Sequence, residues 1–459
     1  MLIFWMSSAL AAEANFIAAE TTALDRVLSF LGLFVLVGIA WVISENRKAI
    51  SWRPVAWGLG LQLVLGAVIL SPAVSEFFYT VVDGGVKQLL SFAEDGATFV
   101  FGSIEGHKLI TGEPGDLFSG GGSEQVFIGS VSPPMKTFAF WILPTIVFFS
   151  SLMSLLYHIG IMQWVVRAIA WVMVRTLGTS GAESLSAAGN IFVGQTEAPL
   201  LVKPFIQTMT RSELMAVMTG GFATVAGGVM GAYVKFLDGV PNIAGHLVMA
   251  SIMSAPAALA IAKVMVPETG SPVTTGTVDG TFEKTATNFI EAAANGAAEG
   301  MKLALNVAAM LIAIVGLVAM FDWMVGLIPV VVAGEPLSLS LILGWIFAPI
   351  AVVMGVPFSE ALVVGRLLGE KIVLTEFVAY INLGTVIQSE VPQISERSAV
   401  IASYALCGFA NFASIGIQLG GIGGIAPDRM GDLASLGFRA MFAGVIAACM
   451  TGAIAGMMY

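Results

Sequence analysis

The sequence predicts an all-α protein that crosses a lipid bilayer several times, and three observations lead to this fold class. Of the 459 residues, 57% are hydrophobic and only 11% are charged, whereas a soluble domain averages about 25% charged residues. Several uncharged runs reach the roughly 20 residues that a transmembrane helix needs. These runs are continuously apolar, unlike the alternating strands of a membrane β-barrel. The composition therefore excludes a soluble enzyme, a disordered regulator and a nucleic-acid binder.

The uncharged runs predict about eight transmembrane helices. We place them at residues 27–44, 54–75, 137–157, 214–234, 241–262, 303–321, one span within 398–427, and 440–459. The acidic stretches 76–124 and 268–299 are expected to be solvated loops. Residues 1–12 have a short apolar core without a preceding basic residue, so we do not expect a cleaved signal peptide.

The basic residues predict the orientation of the chain in the membrane. With the N-terminus outside, more of the 20 Lys and Arg residues fall on the inner side than on the outer side. Loops on the cytoplasmic side carry such an excess. Because eight crossings are an even number, both termini are expected on the outer side.

Three further segments do not fit a simple span. Residues 161–177 are apolar but carry Arg167 and Arg175, eight positions apart and near one helical face, which favours a helix lying at the membrane interface. Residues 190–206 and 336–377 are apolar stretches interrupted by polar and charged residues. Re-entrant hairpins account for both interruptions, because broken tips at membrane depth are tolerated where they line a polar cavity.

An internal repeat connects these segments. Four landmarks occur twice in the same order: Gly178 to Leu185 with Gly355 to Leu362, Thr196-Glu197 with Thr375-Glu376, Arg211-Ser212 with Arg397-Ser398, and Gly221 to Thr224 with Gly408 to Asn411. If residues 336–354 lie at the interface, three spans separate the copies and the repeats are inverted. Inverted repeats are typical of secondary transporters, with the substrate site where the repeats meet. If residues 336–354 cross the membrane instead, the repeats are parallel.

The repeat divides the chain into five parts. They are an N-terminal tail (1–26), scaffold helices with a polar loop at 76–136 (27–160), a first repeat (161–266), a linker with a scaffold helix (267–335), and a second repeat (336–459). Each repeat is expected to contain an interfacial helix, a hairpin, a broken helix and a span.

The carboxylates of Glu197 and Glu376 mark the candidate binding site. A carboxylate at bilayer depth costs roughly 2.5–3.5 kcal/mol, so an intramembrane ionisable residue is first treated as a functional group. The alternative is that both residues cap the hairpin helices, since a Thr-Glu pair suits a first helical turn. Gln195 and Thr196 add amide and hydroxyl groups that suit the edge of a neutral heterocycle.

The second repeat contributes further candidates. Asn411 and Ser414 are three positions apart and share a helix face. Phe409 lies on another side of a regular helix, and it turns toward the cavity if the backbone is broken within residues 408–424. An aromatic ring there packs on a flat ligand.

Two glycine pairs flank Thr224 in the first repeat. Gly220-Gly221 and Gly227-Gly228 are explained equally well by close helix packing and by an unwound stretch. Free carbonyls in an unwound stretch, together with the Thr224 hydroxyl, would bind a hard cation such as sodium.

Three blocks of sequence resemble the signatures of the concentrative nucleoside transporter family. They are residues 190–199 (NIFVGQTEAP), 369–380 (GEKIVLTEFVAY) and 406–411 (LCGFAN). The second block matches the family motif except that Thr375 stands where the family has Asn. The resemblance extends from about residue 27 to the C-terminus, and residues 112–130 look like an insertion.

The resemblance implies the ligand contacts, the assembly and the location of the protein. The implied contacts are Gln195, Thr196, Glu197, Val229 and Phe409 for the nucleobase, Glu376, Asn411 and Ser414 for the ribose, and Asn190, Val193, Thr224 and Val225 for sodium. The family forms homotrimers, and some bacterial members couple to protons instead. We therefore expect a nucleoside symporter of the bacterial inner membrane.

Two other classes of function have weaker support. An intramembrane enzyme would need a catalytic constellation, and the sequence contains no HExxH or GxSxG motif, while His107, His158 and His246 are scattered. A carboxylate carrier would need a basic residue at depth, for which Lys203 is the nearest candidate.

Overall fold

The computed structural model describes residues 15–17, 22–69, 72–101, 106–111, 124–130, 138–276, 286–327, 331–332 and 335–459. Most of the described chain is helical. Two short antiparallel strand pairs complete it, β1 (Gly106–Thr111) with β2 (Glu124–Ser130) and β3 (Val331–Val332) with β4 (Glu335–Pro336). Within these ranges, six helical stretches are long and apolar enough to cross a membrane. The predicted all-α membrane fold is confirmed, whereas the predicted signal-like segment 1–12 lies outside the described residues.

The described residues before the first repeat form four α-helices. They are α1 (Ala23–Val42), α2 (Trp52–Ile69), α3 (Pro72–Phe101) and α4 (Leu143–Ile159), with a short 3₁₀ turn at Arg47–Ala49 and a π-helical turn at Phe138–Ile142.

The first repeat is built from six helices and one turn. They are α5 (Ile161–Leu177), α6 (Gly181–Asn190), a 3₁₀ turn (Ala198–Val202), α7 (Lys203–Ile206), α8 (Arg211–Ala223), α9 (Gly227–Phe236) and α10 (Ile243–Met265). A long helix, α11 (Phe289–Gly326), follows.

The second repeat also has six helices, and its 3₁₀ turn lies before the last helix and not within the hairpin. It contains α12 (Leu339–Val353), α13 (Ala361–Val373), α14 (Glu376–Ile387), α15 (Glu396–Leu406), α16 (Phe412–Ile425), a 3₁₀ turn (Pro427–Arg429) and α17 (Met430–Met458). We call α6 to α7 (181–206) hairpin 1 and α13 to α14 (361–387) hairpin 2. The α8 to α9 segment (211–236) is broken helix 1, and α15 to α16 (396–425) is broken helix 2.

The two repeats also match in their connecting residues. Gly178 follows α5 with φ +75°, and Gly355 follows α12 with φ +92°. With 15 residues, α12 is about 22 Å long, shorter than the ~30 Å hydrocarbon core of a bilayer. Its length supports the interfacial position that inverted repeats require, and the inversion itself stays a prediction.

The expected loop at 76–124 was wrong over the length of α3. Two acidic residues of this helix have partners: Asp83 lies 2.9 Å from Lys87 and 3.3 Å from the Ala244 amide, and Glu94 lies 3.2 Å from Lys235. Acidic residues with such partners can lie in a helix of a membrane protein. Their presence in the sequence therefore did not indicate a loop. Of the predicted insertion 112–130, residues 124–130 form β2.

The second expected loop was also too long. The predicted loop 268–299 ends at α11, where the Asn288 side chain accepts a hydrogen bond from the Glu291 amide, and Glu291 occupies the first turn. A carboxylate at a helix N-terminus is stabilised by the helix dipole. The acidic residues therefore begin a 38-residue helix in place of the predicted span 303–321. Similarly, α17 begins at Met430, before the predicted start at residue 440.

The helices of the repeats form the centre of the molecule. Almost all of α10 and most of α17 are buried, whereas α11 exposes most of its length. Helix α1 packs against α17, α2 against α10, and α4 along α11. Helix α8 of broken helix 1 packs against α10 and α17, and α15 of broken helix 2 packs against α17.

Candidate functional site

Both transmembrane breaks predicted from the glycine-containing segments are present. Helix α8 ends at Ala223 and α9 begins at Gly227, while α15 ends at Leu406 and α16 begins at Phe412. Within residues 220–228 the backbone is non-helical over residues 224–226, and the four glycines lie in the helices on either side.

The two breaks touch at Gly408. Its φ is +117°, and a Cβ atom added there would lie 2.6 Å from the Phe222 carbonyl oxygen and 2.8 Å from the Ala223 carbonyl carbon. Both distances are shorter than a real Cβ atom keeps from another heavy atom. Only glycine therefore lets the two breaks approach this closely.

Replacing Gly408 with alanine is expected to lower the free energy of unfolding by more than roughly 1–2 kcal/mol. That figure is the cost of a left-handed backbone conformation for alanine, and here the neighbouring backbone must also move. Gly276 is the matched control, since its φ is +78° and a Cβ there would meet nothing within 4 Å. Thermal unfolding of purified Gly408→Ala and Gly276→Ala measures the difference. Equal losses for the two variants would contradict the close approach.

Hairpin 1 is anchored at its tip. The Ser251 hydroxyl donates to the Ile191 carbonyl at 3.0 Å, and the Gly227 amide donates to the Phe192 carbonyl at 3.0 Å. The non-helical residues between α6 and the 3₁₀ turn are therefore fixed against α10 and against the start of α9.

Hairpin 2 breaks between α13 and α14. Thr375 is the N-cap of α14, and its hydroxyl accepts a hydrogen bond from the Val378 amide. A threonine in place of the family asparagine still caps this helix. Capping places Glu376 in the first turn, as the alternative reading of the Thr-Glu pair expected.

Glu376 is also the centre of a buried hydrogen-bonded cluster. Its Oε1 accepts from the Tyr233 hydroxyl at 3.1 Å, and its Oε2 accepts from Asn411 Nδ2 at 2.8 Å. The Tyr233 ring stacks on Tyr380 with 4.2 Å between centroids. Sequence reasoning missed Tyr233, whose partner is 143 positions away in the chain.

Asn411 joins this cluster to Ser414. Asn411 is the N-cap of α16, and its Oδ1 accepts from the Ser414 amide at 2.8 Å. A backbone amide can only donate, so this bond fixes the asparagine oxygen and directs its NH₂ group to Glu376. The N-cap hydrogen bond thus holds Asn411 and Ser414 next to each other at the start of α16.

Gln195 continues the chain of hydrogen bonds into hairpin 1. Its Nε2 donates to Ser414 Oγ at 3.2 Å, and its Oε1 accepts from Gln418 Nε2 at 3.0 Å. We call the connected side chains the polar bridge; they are Glu376, Asn411, Ser414, Gln195 and Gln418. It unites both hairpins and broken helix 2, and Gln418 is the member that sequence reasoning missed.

The remaining candidates for the nucleobase lie around this bridge. Thr196 packs against α16, because a Cβ added at Gly421 would lie 2.8 Å from Thr196 Cγ2. Val229 is buried near the start of α9, and Phe409 is partly buried in the break of broken helix 2. Glu197 is exposed at the tip of hairpin 1, over Gly194, so the structure places it beside the polar bridge and not within it. Lys203 is exposed on α7.

The candidate ion ligands come from two segments that touch. Asn190 ends α6 and Val193 lies in the hairpin tip, while Thr224 and Val225 occupy the break of broken helix 1. A Cβ added at Gly220 would lie 3.3 Å from Asn190 Nδ2, which shows that α8 approaches Asn190 closely.

The oxygen atoms of these residues suit a hard cation. Asn190 Nδ2 donates to the Ser186 carbonyl at 3.1 Å, whereas its buried Oδ1 makes no hydrogen bond within the described part of the chain. The Thr224 hydroxyl donates to the Gly220 carbonyl at 2.8 Å, which leaves its lone pairs free to coordinate a cation. Carbonyl, amide and hydroxyl oxygens are ligands that sodium-like cations prefer.

Lys371 supports the break of broken helix 2. Its ammonium group is buried and donates to the Ala405 carbonyl at 2.9 Å and to the Cys407 carbonyl at 3.2 Å. A cation at a helix C-terminus satisfies carbonyls that lack helical partners and offsets the negative end of the dipole. The lysine in the 369–380 block thus stabilises the chain break next to the site.

Sequence comparison shows the family. Models described as Na+ dependent nucleoside transporter N-terminus, nucleoside recognition (Gate) and Na+ dependent nucleoside transporter C-terminus match residues 31–104, 139–239 and 246–456. An uncharacterized transporter of Haemophilus influenzae is 43% identical over 432 residues, which are 94% of this chain and 97% of that protein. The chain belongs to the Na⁺-dependent nucleoside transporter family.

Other members of the nucleoside transporter family are longer. Rat solute carrier family 28 member 3 is 40% identical over 99% of this chain, and the chain spans 63% of its length. Mouse sodium/nucleoside cotransporter 1 is 37% identical over 100% of this chain and is covered over 68% of its length. The resemblance found in the three motif blocks is confirmed, and the family consists of transporters, not enzymes.

Solved structures of CNTnw have the same fold. CNTnw in an inward-facing substrate-bound state gives a TM-score of 0.81 at 42% identity, covering 94% of this chain and 98% of that chain. A variant of CNTnw in an outward-facing state gives 0.83 at 41% identity, covering 95% and 98%.

Proposed function

We propose that the protein is a sodium-coupled nucleoside symporter that imports nucleosides across the bacterial inner membrane by alternating access. The polar bridge is the observation that carries this proposal, because it gathers a carboxylate, three amides and a hydroxyl from three separate segments at the meeting point of the repeats. Burying polar groups costs free energy unless they are hydrogen-bonded, and polar residues at membrane depth commonly mark a functional site. The name of the mouse relative, sodium/nucleoside cotransporter 1, supports the same function.

The part of the bridge nearest hairpin 2 is proposed to bind the ribose. Adjacent sugar hydroxyls are both donors and acceptors, and the Glu376 carboxylate can accept from them while Asn411 and Ser414 donate. Tyr233 and Asn411 already orient the carboxylate, which reduces the ordering cost of binding.

The hairpin 1 side is proposed to bind the nucleobase. Gln195, Thr196 and Glu197 supply hydrogen-bonding groups along the tip, and Val229 and Phe409 supply apolar surface for the ring. A ligand that bridges the two parts would contact both repeats at once.

Sodium is proposed to bind at Asn190, Val193, Thr224 and Val225. Asn190 and Val193 lie in the hairpin 1 tip just before Gln195. A cation bound to them would order the residues that hold the base. Each ligand then raises the affinity for the other, because a coupling free energy is reciprocal. This linkage is the basis of cotransport in the proposed mechanism.

Alternating access is proposed to move the repeats, residues 161–266 and 336–459, against a scaffold. Helices α1 and α2 pack on α17 and α10, and Glu45 between them pairs with Arg211 at 2.9 Å and with Arg439. These contacts, which include the Glu45 ion pairs, join α1 and α2 to the repeats. We therefore narrow the proposed scaffold to the packed pair α4 and α11, of which α4 meets the repeats along α9. The inward-facing and outward-facing states of CNTnw support such a cycle.

The exposed apolar face of α11 is proposed to meet lipid and neighbouring copies in a homotrimer. Leu305, Ile312 and Trp323 on this helix are 61%, 77% and 67% exposed. An exposed apolar surface of this kind marks a membrane or protein contact. We place both termini on the outer side of the membrane.

A binding assay on purified protein tests the substrate class. Titration with uridine, uracil and a C4 dicarboxylate is expected to give saturable binding of uridine, at least tenfold weaker binding of uracil because the ribose contacts are lost, and no binding of the dicarboxylate. Preference for the dicarboxylate would replace the proposal with the carboxylate carrier.

A further inference from the structure

Gln418 is a buried amide that the proposed ligand contacts do not include. It lies in the middle of α16 between Ile417 and Leu419, and its side chain is 0% exposed. Its Nε2 lies 3.1 Å from the Met218 carbonyl oxygen and 3.0 Å from Gln195 Oε1. An amide in an apolar helix costs free energy unless it is hydrogen-bonded, so these two contacts determine what the residue does.

The Met218 carbonyl fixes the orientation of two amides in succession. A carbonyl oxygen can only accept, so Gln418 must turn its NH₂ group toward Met218. The same NH₂ group faces Gln195, which must therefore offer its oxygen. The NH₂ group of Gln195 is then left on the opposite side, where one of its two N–H groups donates to Ser414 Oγ and the other can donate to a ligand.

Gly221 of α8 lies close to both side chains, at the Gln418 amide and at the Cβ atom of Gln195. A Cβ added at Gly221 would lie 2.7 Å from Gln418 Nε2 and 2.9 Å from Gln195 Cβ. The backbone of α8 therefore presses on both side chains at the point where they meet. A glutamine that rotates can present either a donor or an acceptor, whereas this one is held with its donor outward.

We infer that Gln418 is a positioning residue that fixes the polarity of the Gln195 amide, so that hairpin 1 presents a hydrogen-bond donor to the nucleobase. The inference rests on the proposed nucleoside site. It assigns the ligand class more narrowly, as nucleosides whose base turns an acceptor, a carbonyl oxygen or an unprotonated ring nitrogen, toward Gln195. It also makes Gln418 a determinant of base selectivity without contact to the base.

Replacement of Gln418 with methionine tests this role. Uridine and cytidine exchange donors and acceptors at the same ring edge, as do inosine and adenosine. With Gln418→Met, the Gln195 amide is free to present either end, and the ratio of KM values within at least one of these pairs is expected to change threefold or more. A ratio measured on one protein sample does not depend on the amount of folded transporter.

Gln62→Met is the matched control. Gln62 is also 0% exposed, donates from Nε2 to a backbone carbonyl, that of Met253 at 3.2 Å, and has an Oε1 without a hydrogen-bond partner in the described structure. Gln418 shares all of these features but lies beside Gln195. Gln62→Met is expected to keep the wild-type ratios, because only a general loss of a buried hydrogen bond is common to both variants.

The outcomes separate this inference from the proposed function. Unchanged ratios in Gln418→Met, or equal changes in both variants, overturn the positioning role even though the wild type transports nucleosides. Failure of the wild-type protein to bind any of the four nucleosides overturns the proposed function instead. If uptake by Gln418→Met is too slow to measure, the same ratios are taken from the shift in melting temperature that each nucleoside causes in purified protein.

Discussion

Glu376→Gln is expected to lower the kcat/KM of nucleoside uptake at least tenfold. The substitution keeps the size of the side chain but replaces one acceptor oxygen with a donor, which then faces either Tyr233 or Asn411, both of which donate to the carboxylate. Hydrogen bonds to charged groups contribute about 1.5–3 kcal/mol each, and one of them is lost before the ribose is considered. Initial rates of uridine uptake in proteoliposomes give the measurement.

Glu370→Gln is the control for this variant. Glu370 is a buried carboxylate of the same hairpin and accepts from two side chains, Asn382 at 2.8 Å and Ser340 at 2.8 Å. It lies outside the polar bridge, so its amide variant is expected to share any general cost in stability but to retain uptake within a few-fold of wild type. Equal uptake by the two variants would remove Glu376 from the ribose site.

Thr224→Val is expected to raise the sodium concentration at half-maximal uptake by about three- to tenfold, the effect of losing one ligand oxygen worth about 0.5–1.5 kcal/mol. Valine has the shape of threonine, so the break between α8 and α9 keeps its packing while the hydroxyl is removed. The uridine KM at saturating sodium should change much less. Measuring both quantities separates an ion ligand from a substrate ligand.

Thr451→Val is the corresponding control. Thr451 is fully buried in α17 and its hydroxyl donates to the Ala448 carbonyl at 2.7 Å, much as Thr224 donates to Gly220. This variant loses the same kind of local hydrogen bond, together with a longer one to the Tyr404 carbonyl at 3.5 Å, outside the proposed ion ligands of hairpin 1 and broken helix 1. If both valine variants shift the sodium dependence equally, Thr224 is not an ion ligand.

Elements whose apolar pattern is long or interrupted by glycine were predictable from the sequence. The predicted interfacial segment 161–177 has the bounds of α5. The glycine pairs around Thr224 flank a break in the helix, and Gly408 lies within the other break. Helix α3 and the first turns of α11 were not predictable by composition, because acidic residues read as loop whether or not partners neutralise them. Glu94 meets its partner Lys235 only in the folded protein, and the Glu291 carboxylate accepts hydrogen bonds from Thr287 only once α11 forms.

The site was predictable as a set of residues but not as a network. Gln195, Glu376, Asn411 and Ser414 were candidates because each is a polar residue in an apolar segment or a motif. Gln418 and Tyr233 have the same character, yet their partners lie 223 and 143 positions away, so nothing local distinguished them. Glu197 shows the converse, since its motif position does not bring it into the polar bridge.

Uridine uptake driven by an imposed ion gradient tests the proposed cotransport most directly. Proteoliposomes containing the full chain are given an inward sodium gradient at equal pH on both sides, with an inward proton gradient at equal sodium as the second arm. We predict that the sodium gradient accumulates uridine above its equilibrium level and that the proton gradient alone does not. Accumulation that follows the proton gradient and ignores sodium would contradict sodium coupling, and equilibration under both gradients would contradict cotransport altogether.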